Sequence, residues 1–251
     1  MSESSSRCTA CQQPPEHTFE FTMAFQPIVH ATNQSIFAFE ALVRGLEGQS
    51  AGSILAQVGP HNRYWFDQTC RIKAIQLASR LGLPNYTNTL LSINFLPNAV
   101  YQPQACIRAT LEAAHSCQFP TNRIMFEVTE GERIEHPEHL SSIFTEYMRQ
   151  GFTTAMDDFG AGYSGLNLLA TFQPQVLKID MELTRSINSH KTRRIIVEGI
   201  VLVAGRLGIT VIAEGIETPE ERDCLIDLGI PLQQGFLFAR PGLQQLPEPR
   251  F

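Results

Sequence analysis

Short apolar segments alternate with amphipathic segments along most of the chain. We predict strands at residues 23–29, 36–43, 90–95, 124–129, 153–156, 176–179 and 210–213, with a last short strand near Gly235. Between them, apolar residues recur with the helical period at residues 65–81, 103–117, 137–150, 192–207 and 219–228. Prolines and glycines lie where helices start and end, as is typical of helix termini: Pro103, Pro137, Pro219, Gly82, Gly151, Gly208 and Gly229.

This alternation predicts an α/β fold with parallel strands and right-handed crossovers. About eight strands in one domain favour a (β/α)8 barrel, and an open doubly wound sheet is the structural alternative. In a barrel, functional side chains lie at the C-terminal ends of the strands or in the loops that follow them.

The chain has 251 residues and a formal net charge of −6. The length accommodates a single barrel domain, and the negative charge argues against binding to a DNA or RNA polymer. No apolar segment is long enough to span a membrane, and the N-terminus lacks the apolar core of a secretory signal. We therefore expect a cytoplasmic protein that does not bind membranes.

Residues 1–18 are predicted to form a flexible tail, and residues 19–251 a single folded domain. The tail holds Cys8 and Cys11 in a CxxC spacing, with His17 as the nearby candidate for a further zinc ligand. Because a structural zinc site normally has four ligands, we interpret the pair as a tail element. A second subunit would have to complete any metal site there.

Polar side chains recur near the end of successive predicted strands. They are Glu40, Arg44, Asn94, Glu127, Glu130, Asp157, Asp158, Lys178, Asp180, Glu214, Glu217 and Gln234. Each residue taken alone has an ordinary structural explanation. Glu40 could face solvent, and Asn94 could bond to a loop backbone. Lys178 could face solvent or form a structural ion pair, and Asp157-Asp158 could cap a short helix. Carboxylates in buried segments, however, need a cation or hydrogen bonds, so the whole set favours a functional site.

Carboxylate and amide oxygens are hard ligands that suit Mg²⁺ or Mn²⁺. Adjacent Asp157 and Asp158 allow one carboxylate to bridge two ions, a recurring arrangement for phosphodiester hydrolysis. Lys178 could hold the attacking water or the phosphate, and Arg44 could bind a phosphate oxygen. The glycine-rich loop 158–165 can approach a ligand closely.

At these residues the chain resembles the EAL family of cyclic di-GMP phosphodiesterases. Blocks typical of that family follow one another in order over about residues 23–241: Gln26-Pro27-Ile28-Val29, Glu40-Ala41-Leu42-Val43-Arg44, Asn94, Phe126-Glu127-Val128-Thr129-Glu130, Asp157-Asp158-Phe159-Gly160, Leu177-Lys178-Ile179-Asp180, Ala213-Glu214-Gly215-Ile216-Glu217-Thr218 and Gln234-Gly235-Phe236-Leu237-Phe238-Ala239-Arg240-Pro241. The resemblance implies a modified TIM barrel whose first strand is antiparallel to the rest. It also implies a homodimer and hydrolysis of cyclic di-GMP to linear 5′-pGpG with two Mg²⁺ or Mn²⁺ ions.

The resemblance further implies a role for each matching residue. The implied metal ligands are Glu40, Asn94, Glu127, Asp157 and Asp158. The implied catalytic residues are Glu214, Lys178 and Asp158, with Glu214 and Lys178 activating or positioning water. Substrate binding falls to Arg44, Gln26 and Gln234, and loop positioning to Glu130, Glu217 and Asp180. The chain departs from the family pattern at Gly45, Ala161, Gly165 and Pro231, none of which is an implied ligand.

Two other functions remain open at this point. One is a non-catalytic EAL fold that senses cyclic di-GMP or contacts an unidentified regulatory protein. The other is a metal-dependent phosphodiesterase acting on a different nucleotide, since only the resemblance selects cyclic di-GMP. The apolar helix at residues 195–207 motivates the expected dimer.

Overall fold

The computed structural model describes residues 18–129, 137–162 and 165–251. The described strands are β1 Thr22–His30, β2 Ser35–Arg44, β3 Leu90–Asn94, β4 Ile124–Thr129, β5 Thr153–Phe159, β6 Val176–Ile179, β7 Thr210–Ala213, β8 Leu232–Gln233 and β9 Gly242–Leu243. The described α-helices are α1 Ala51–Leu55, α2 Arg63–Arg80, α3 Pro103–Cys106, α4 Arg108–Ser116, α5 Pro137–Arg149, α6 Gly165–Thr171, α7 Met181–Thr184, α8 Lys191–Leu207 and α9 Pro219–Asp227.

Strands β1–β8 close into a barrel. The strands β2 to β8 pair in sequence order and in parallel, and β1 closes the ring antiparallel to both β2 and β8. The predicted barrel and its reversed first strand are therefore confirmed, and the doubly wound alternative is wrong. The short β9 pairs with Ala24 and Phe25 of β1, in the half of that strand that lies beside the C-terminal end of β2.

The inside of the barrel is apolar at one level and polar at the next. Its apolar layer consists of Ile28, Ala38, Met125, Ala155, Val176, Ile212 and Leu232, which form one buried cluster. Side chains two residues apart on a strand point to the same face. Two residues from each of these positions, toward the C-terminal ends of β2–β8, the inward-facing residue is polar. These residues are Gln26, Glu40, Glu127, Asp157 and Lys178, with Glu214 and Gln234 one residue past the ends of β7 and β8. The two-residue period of the strands thus brings the polar residues together above the apolar layer.

A buried cation fixes the segment that follows β3. Arg71 of α2 is fully buried and pairs with Asp67 at 2.8 Å. Its guanidinium carbon lies 5.1–5.6 Å from the ring centroids of Phe95, Phe126 and Tyr147, a distance at which cation–π attraction contributes. Asp67 in turn accepts a hydrogen bond from the Leu96 backbone, so this network braces the chain just beyond Asn94.

Several predicted elements differ from the structure in detail. The helix expected at 103–117 is interrupted at Ile107. Ile107 itself has right-handed helical dihedrals, and the residue at the break is neither glycine nor proline. Strand β5 continues past Met156 to Phe159, and β8 lies just before Gly235. The helices α1, α6 and α7 were not predicted.

Other expectations are met, or lie outside the described residues. The four glycines expected after helices all have positive φ, between 72° and 89°. Cys8, Cys11 and His17 lie outside the described residues, so the tail remains a prediction. Of the helices described, none combines the length and apolar character needed to cross a membrane.

Candidate active site

One buried lysine lies at the centre of the polar layer. The Nζ of Lys178, on β6, lies 2.8 Å from Glu214, 3.0 Å from Asp157, 3.1 Å from Glu127 and 3.4 Å from Glu40. The lysine side chain is 0% exposed. Within the described part of the chain, this one positive charge faces four carboxylates.

The electrostatics of this cluster shift the pKa values of its members. Burial raises the pKa of Glu127 to about 8, against the lowering effect of Lys178 and with a further rise from Glu40. Burial, and then the charge of Asp157, also raises the pKa of Glu214. Burial disfavours the charged form of Lys178, but the surrounding carboxylates outweigh it and raise the pKa of the lysine. Such mutual repulsion among carboxylates is relieved by additional positive charge.

Two adjacent aspartates face the same cavity because β5 is irregular. Neighbouring residues on a strand normally point to opposite faces. The pairing of β5 with β6 shifts register between Met156 and Phe159, and Asp158 takes a left-handed φ of 55°. A bulge of this kind redirects a side chain next to a functional site. Burial, and then Asp157, raises the pKa of Asp158 to about 6.

The carboxylates form two overlapping groups with the spacing of metal ligands. In the first group, Glu40, Glu127 and Asp157 have oxygen atoms within 4.8 Å of one another. In the second group, the same holds for Asp157, Asp158 and Glu214. Asp157 belongs to both groups, so the two groups adjoin on the cavity floor.

The donor set also fits a metal ion chemically. The groups supply oxygen ligands, which hard divalent cations prefer. Glu127 is fully buried, and its Oε1 has no hydrogen-bond partner of good geometry in the described part of the chain. A buried carboxylate oxygen without a partner is costly, and a cation beside it would satisfy it.

Amide side chains hold Glu40 in place. Asn94 Nδ2 donates to Glu40 Oε1 at 2.9 Å, and Gln234 Nε2 donates to Glu40 Oε2 at 2.8 Å. Gln234 also donates to Gln26 at 3.2 Å, and Gln26 donates to the carbonyl of Ala239 at 3.0 Å. Gln26 and Gln234 therefore link the last loop of the chain to the acidic floor, besides lining the cavity.

The remaining sequence-predicted residues make their described contacts outside the group of carboxylates around Lys178. Asp180 caps α7 through a 2.8 Å bond from the Glu182 backbone, and Glu217 pairs with Arg185 at 2.9 Å. Both line the cavity rim. Arg44 lies at the end of β2 beyond the cavity lining, where it donates to the Val43 carbonyl. Glu130 lies outside the described residues.

The cavity above the acidic floor has a volume of about 400 Å³. Its lining also includes Leu42, Thr129, Met181 and Phe236, to which the sequence assigned no role. Phe236 is 46% exposed, and the Arg240 guanidinium carbon lies 4.1 Å from its ring centroid. An exposed aromatic ring at an acidic cavity can bind a planar group, but the exposure of Phe236 has no signal in the sequence.

The sequence matches the EAL domain family over residues 12–241. The chain belongs to the EAL domain family. Among curated relatives, this EAL domain is 32% identical over 224 residues to the blue light- and temperature-regulated antirepressor BluF of Escherichia coli, covering 89% of this chain and 55% of BluF. It is 36% identical over 132 residues to the cyclic di-GMP phosphodiesterase RocR of Pseudomonas aeruginosa, covering 53% of this chain and 33% of RocR. The chain thus spans about half or less of these relatives.

Solved structures of EAL proteins superpose closely on this EAL domain. A standalone EAL protein from Vibrio cholerae, in its c-di-GMP-bound form, has a TM-score of 0.89 and 50% identity, over 94% of this chain and 98% of that one. The manganese and cyclic di-GMP complex of Klebsiella pneumoniae BlrP1 has a TM-score of 0.85 and 36% identity, over 94% of this chain and 60% of that one. Both of these relatives have cyclic di-GMP bound.

Proposed function

We propose that this EAL domain hydrolyses one phosphodiester bond of cyclic di-GMP to give linear 5′-pGpG, using two Mg²⁺ or Mn²⁺ ions. The observation that carries the proposal is the pair of acidic groups that share Asp157 on the cavity floor. Relatives named as cyclic di-GMP phosphodiesterases and solved structures with cyclic di-GMP bound support the choice of substrate.

Five residues would hold the ions. Glu40, Asn94, Glu127 and Asp157 would hold one ion, and Asp157 with Asp158 would hold the other. Bound ions would supply positive charge at the phosphate and lower the pKa of a water ligand. The protein contributes fixed geometry, because these side chains come from rigid strand ends and are already held by Lys178, Gln234 and one another.

Lys178 and Glu214 would position the attacking water. Their charged atoms lie 2.8 Å apart, and the lysine is held rigidly by its other carboxylate partners. Glu214 borders both the cavity and Asp157, so a water molecule there would be within reach of a proton acceptor. Glu214 must be ionised to accept that proton, and positive charge beside it would oppose the rise in its pKa.

The rest of the cavity suits a planar, anionic ligand. The floor would hold the phosphodiester, and the exposed ring of Phe236 would stack on a base. Gln26 and Gln234 would border the ligand, Arg44 at the end of β2 would reach a distal phosphate, and Asp180, Glu130 and Glu217 would steady the surrounding loops.

A homodimer is proposed through α8. This helix exposes Ile195, Ile196, Leu202 and Val203, whose side chains are 41–59% exposed. They recur seven residues apart and so share one stripe of the helix. The helix connects the strands that carry Lys178 and Glu214. Leu202→Lys should shift the protein to monomer in sedimentation velocity, and an unchanged sedimentation coefficient would place any interface elsewhere.

A regulatory function is the second candidate, since the relative BluF is named as an antirepressor. In that case the domain would bind cyclic di-GMP or an unidentified regulatory protein without useful turnover. The retained acidic groups and lysine favour catalysis, because a pure binding site has no need to gather four carboxylates around one position.

The proposal is tested by incubating the protein with cyclic di-GMP and Mn²⁺ or Mg²⁺ and separating the products by chromatography. We expect linear pGpG, with turnover lost on chelation and reduced at least about 100-fold in Asp157→Asn. Asn33→Asp, a change of similar size on the exposed β1–β2 turn, is the matched control and should leave turnover unchanged. Binding without product would favour the regulatory function instead.

A further inference from the structure

Two buried side chains tie the loop that carries Glu214 to the segment behind Lys178. The first is Thr184 of α7, which is fully buried and donates through Oγ1 to the Glu214 carbonyl at 2.5 Å. The Glu214 backbone N–H donates to the Ile179 carbonyl at 3.0 Å. Both backbone groups of Glu214 are therefore held by the same segment, residues 179–184.

The second is Glu221, a residue that is 4% exposed and whose carboxylate accepts from backbone N–H groups of two different loops. Its Oε2 accepts from Glu217 at 2.9 Å and from Thr218 at 3.1 Å. Its Oε1 accepts from Ser186 at 2.7 Å. Ser186 follows α7, whereas Glu217 and Thr218 follow Glu214. The carboxylate thus bridges the loop after β6 and the loop after β7.

A helix cap alone does not account for these bonds. Thr218 and Glu221 form a capping box at the start of α9, with the Thr218 hydroxyl accepting from the Glu221 backbone and Glu221 accepting from the Thr218 backbone. That box needs only one carboxylate oxygen. The bond from Ser186 lies outside the helix and uses the other oxygen.

The two loops are also in close steric contact at Gly215. A Cβ atom at this position would lie 2.3 Å from the Cβ of Met181 and 3.2 Å from its Cα. Gly215 also has a φ of 71°, a conformation that favours glycine. The absence of a side chain lets the backbone after Glu214 approach α7 closely enough for Thr184 and Glu221 to make their bonds.

We propose that Glu221 and Thr184 are positioning residues that hold Glu214 in register with Lys178. This inference rests on the proposed function, in which that pair positions the attacking water. A buried carboxylate that receives three backbone hydrogen bonds is a rigid bridge, because charge-assisted bonds are stronger than neutral ones. Residues that orient a functional side chain through hydrogen bonds typically contribute about 10- to 100-fold to activity.

Glu221→Gln separates the bridge from the cap. The single amide oxygen of the glutamine can preserve the capping box. Its NH₂ group then faces the Ser186 N–H, and because both groups are donors the hydrogen bond from Ser186 is lost. Amide hydrogen exchange at Ser186 should accelerate at least about 10-fold, and kcat should fall about 10- to 100-fold with KM changed less than about twofold. Thr184→Val should lower kcat in the same way. Thr184→Ser retains the hydroxyl and should keep kcat near the wild-type value.

Thr218→Ala is the matched control, since it weakens the same helix cap but leaves the Glu221 carboxylate bonds in place. We expect it to lower Tm while kcat and exchange at Ser186 stay near wild type. Unchanged exchange at Ser186 in Glu221→Gln would overturn the bridge. Faster exchange with unchanged kcat, or an equal loss of kcat in Thr218→Ala, would overturn the positioning role.

The carboxyl ¹³C resonance of Glu214 gives a readout that does not depend on turnover. It should move in Glu221→Gln and in Thr184→Val but not in Thr218→Ala. A wild-type protein that fails to turn over cyclic di-GMP would refute the proposed function, and this resonance would still decide the positioning claim. A Glu214 resonance that is identical in all three variants would refute that claim.

Discussion

Replacing Lys178 with methionine tests whether this residue is the counter-ion of the acidic cluster. The lysine nitrogen lies 2.8–3.4 Å from four carboxylates, and its side chain is 0% exposed. Removing one partner of a buried ion pair costs about 3–5 kcal/mol, because the other partner is left without compensation. For a chain of this size, about 1 kcal/mol shifts Tm by about 2–4 °C. Lys178→Met should therefore lower Tm by about 6–20 °C in the presence of a chelator.

Both pH and metal should modulate this loss. At pH 6 the loss should be smaller than at pH 8, because the carboxylates can take up protons when the lysine is absent. Glu127 and Glu214 would take up protons most readily, because burial already raises the pKa of both carboxyl groups and the variant lacks the lysine charge that opposes this rise. Mn²⁺ at about 100 times its Kd stabilises a folded protein by about 2.7 kcal/mol. Because the ion supplies positive charge that the variant lacks, Mn²⁺ should raise Tm more in Lys178→Met than in the wild type.

Differential scanning calorimetry with chelator and with Mn²⁺ measures these effects. The matched control is Lys73→Met, because Lys73 donates to the Phe21 carbonyl at 2.8 Å and lies over its ring, away from the acidic cluster. It should cost about 1 kcal/mol and leave the response to Mn²⁺ unchanged. A Lys178→Met protein as stable as wild type in chelator, at pH 8, would refute the counter-ion role.

Three further predictions concern metal and ligand. Mn²⁺ affinity should rise with pH up to about 8, because Glu127 must lose its proton to bind; an affinity independent of pH in calorimetric titration would contradict this. Phe236→Ala should weaken cyclic di-GMP binding by about 1–3 kcal/mol while Phe251→Ala does not, and equal affinities would remove the stacking role. Asp158→Asn, which tolerates the left-handed backbone, should keep Tm within about 5 °C but bind one Mn²⁺ fewer by equilibrium dialysis; unchanged stoichiometry would exclude Asp158 as a ligand.

The sequence predicts the barrel because its strands and helices have different periods. Strand segments such as Ile124–Thr129 and Val176–Ile179 occur in the structure at the predicted residues. The same two-residue period places Glu127 and Lys178 inside the barrel, above Met125 and Val176. The convergence of the acidic residues was thus predictable once parallel pairing had been inferred.

Features that depend on tertiary contacts were not predictable in this way. The bulge that lets Asp158 reach the cavity arises from the pairing of β5 with β6. In the sequence, Glu221 lies three residues after Thr218, which is the spacing of a helix capping box. Its bond to Ser186 joins residues 35 positions apart in the chain, and no local pattern predicts such a bond. Phe236 lay within a recognised motif, but its exposure at the cavity rim depends on how the last loop folds back onto Gln26. The interruption of the helix at Ile107 has no local sequence signal.

The claim that Asp157 bridges two ions is tested most directly by anomalous diffraction from crystals soaked in Mn²⁺. We predict two anomalous peaks. One should lie among Glu40, Asn94, Glu127 and Asp157, and the other should lie beside Asp157 and Asp158. A single peak, or peaks that do not contact Asp157, would contradict the account of the site.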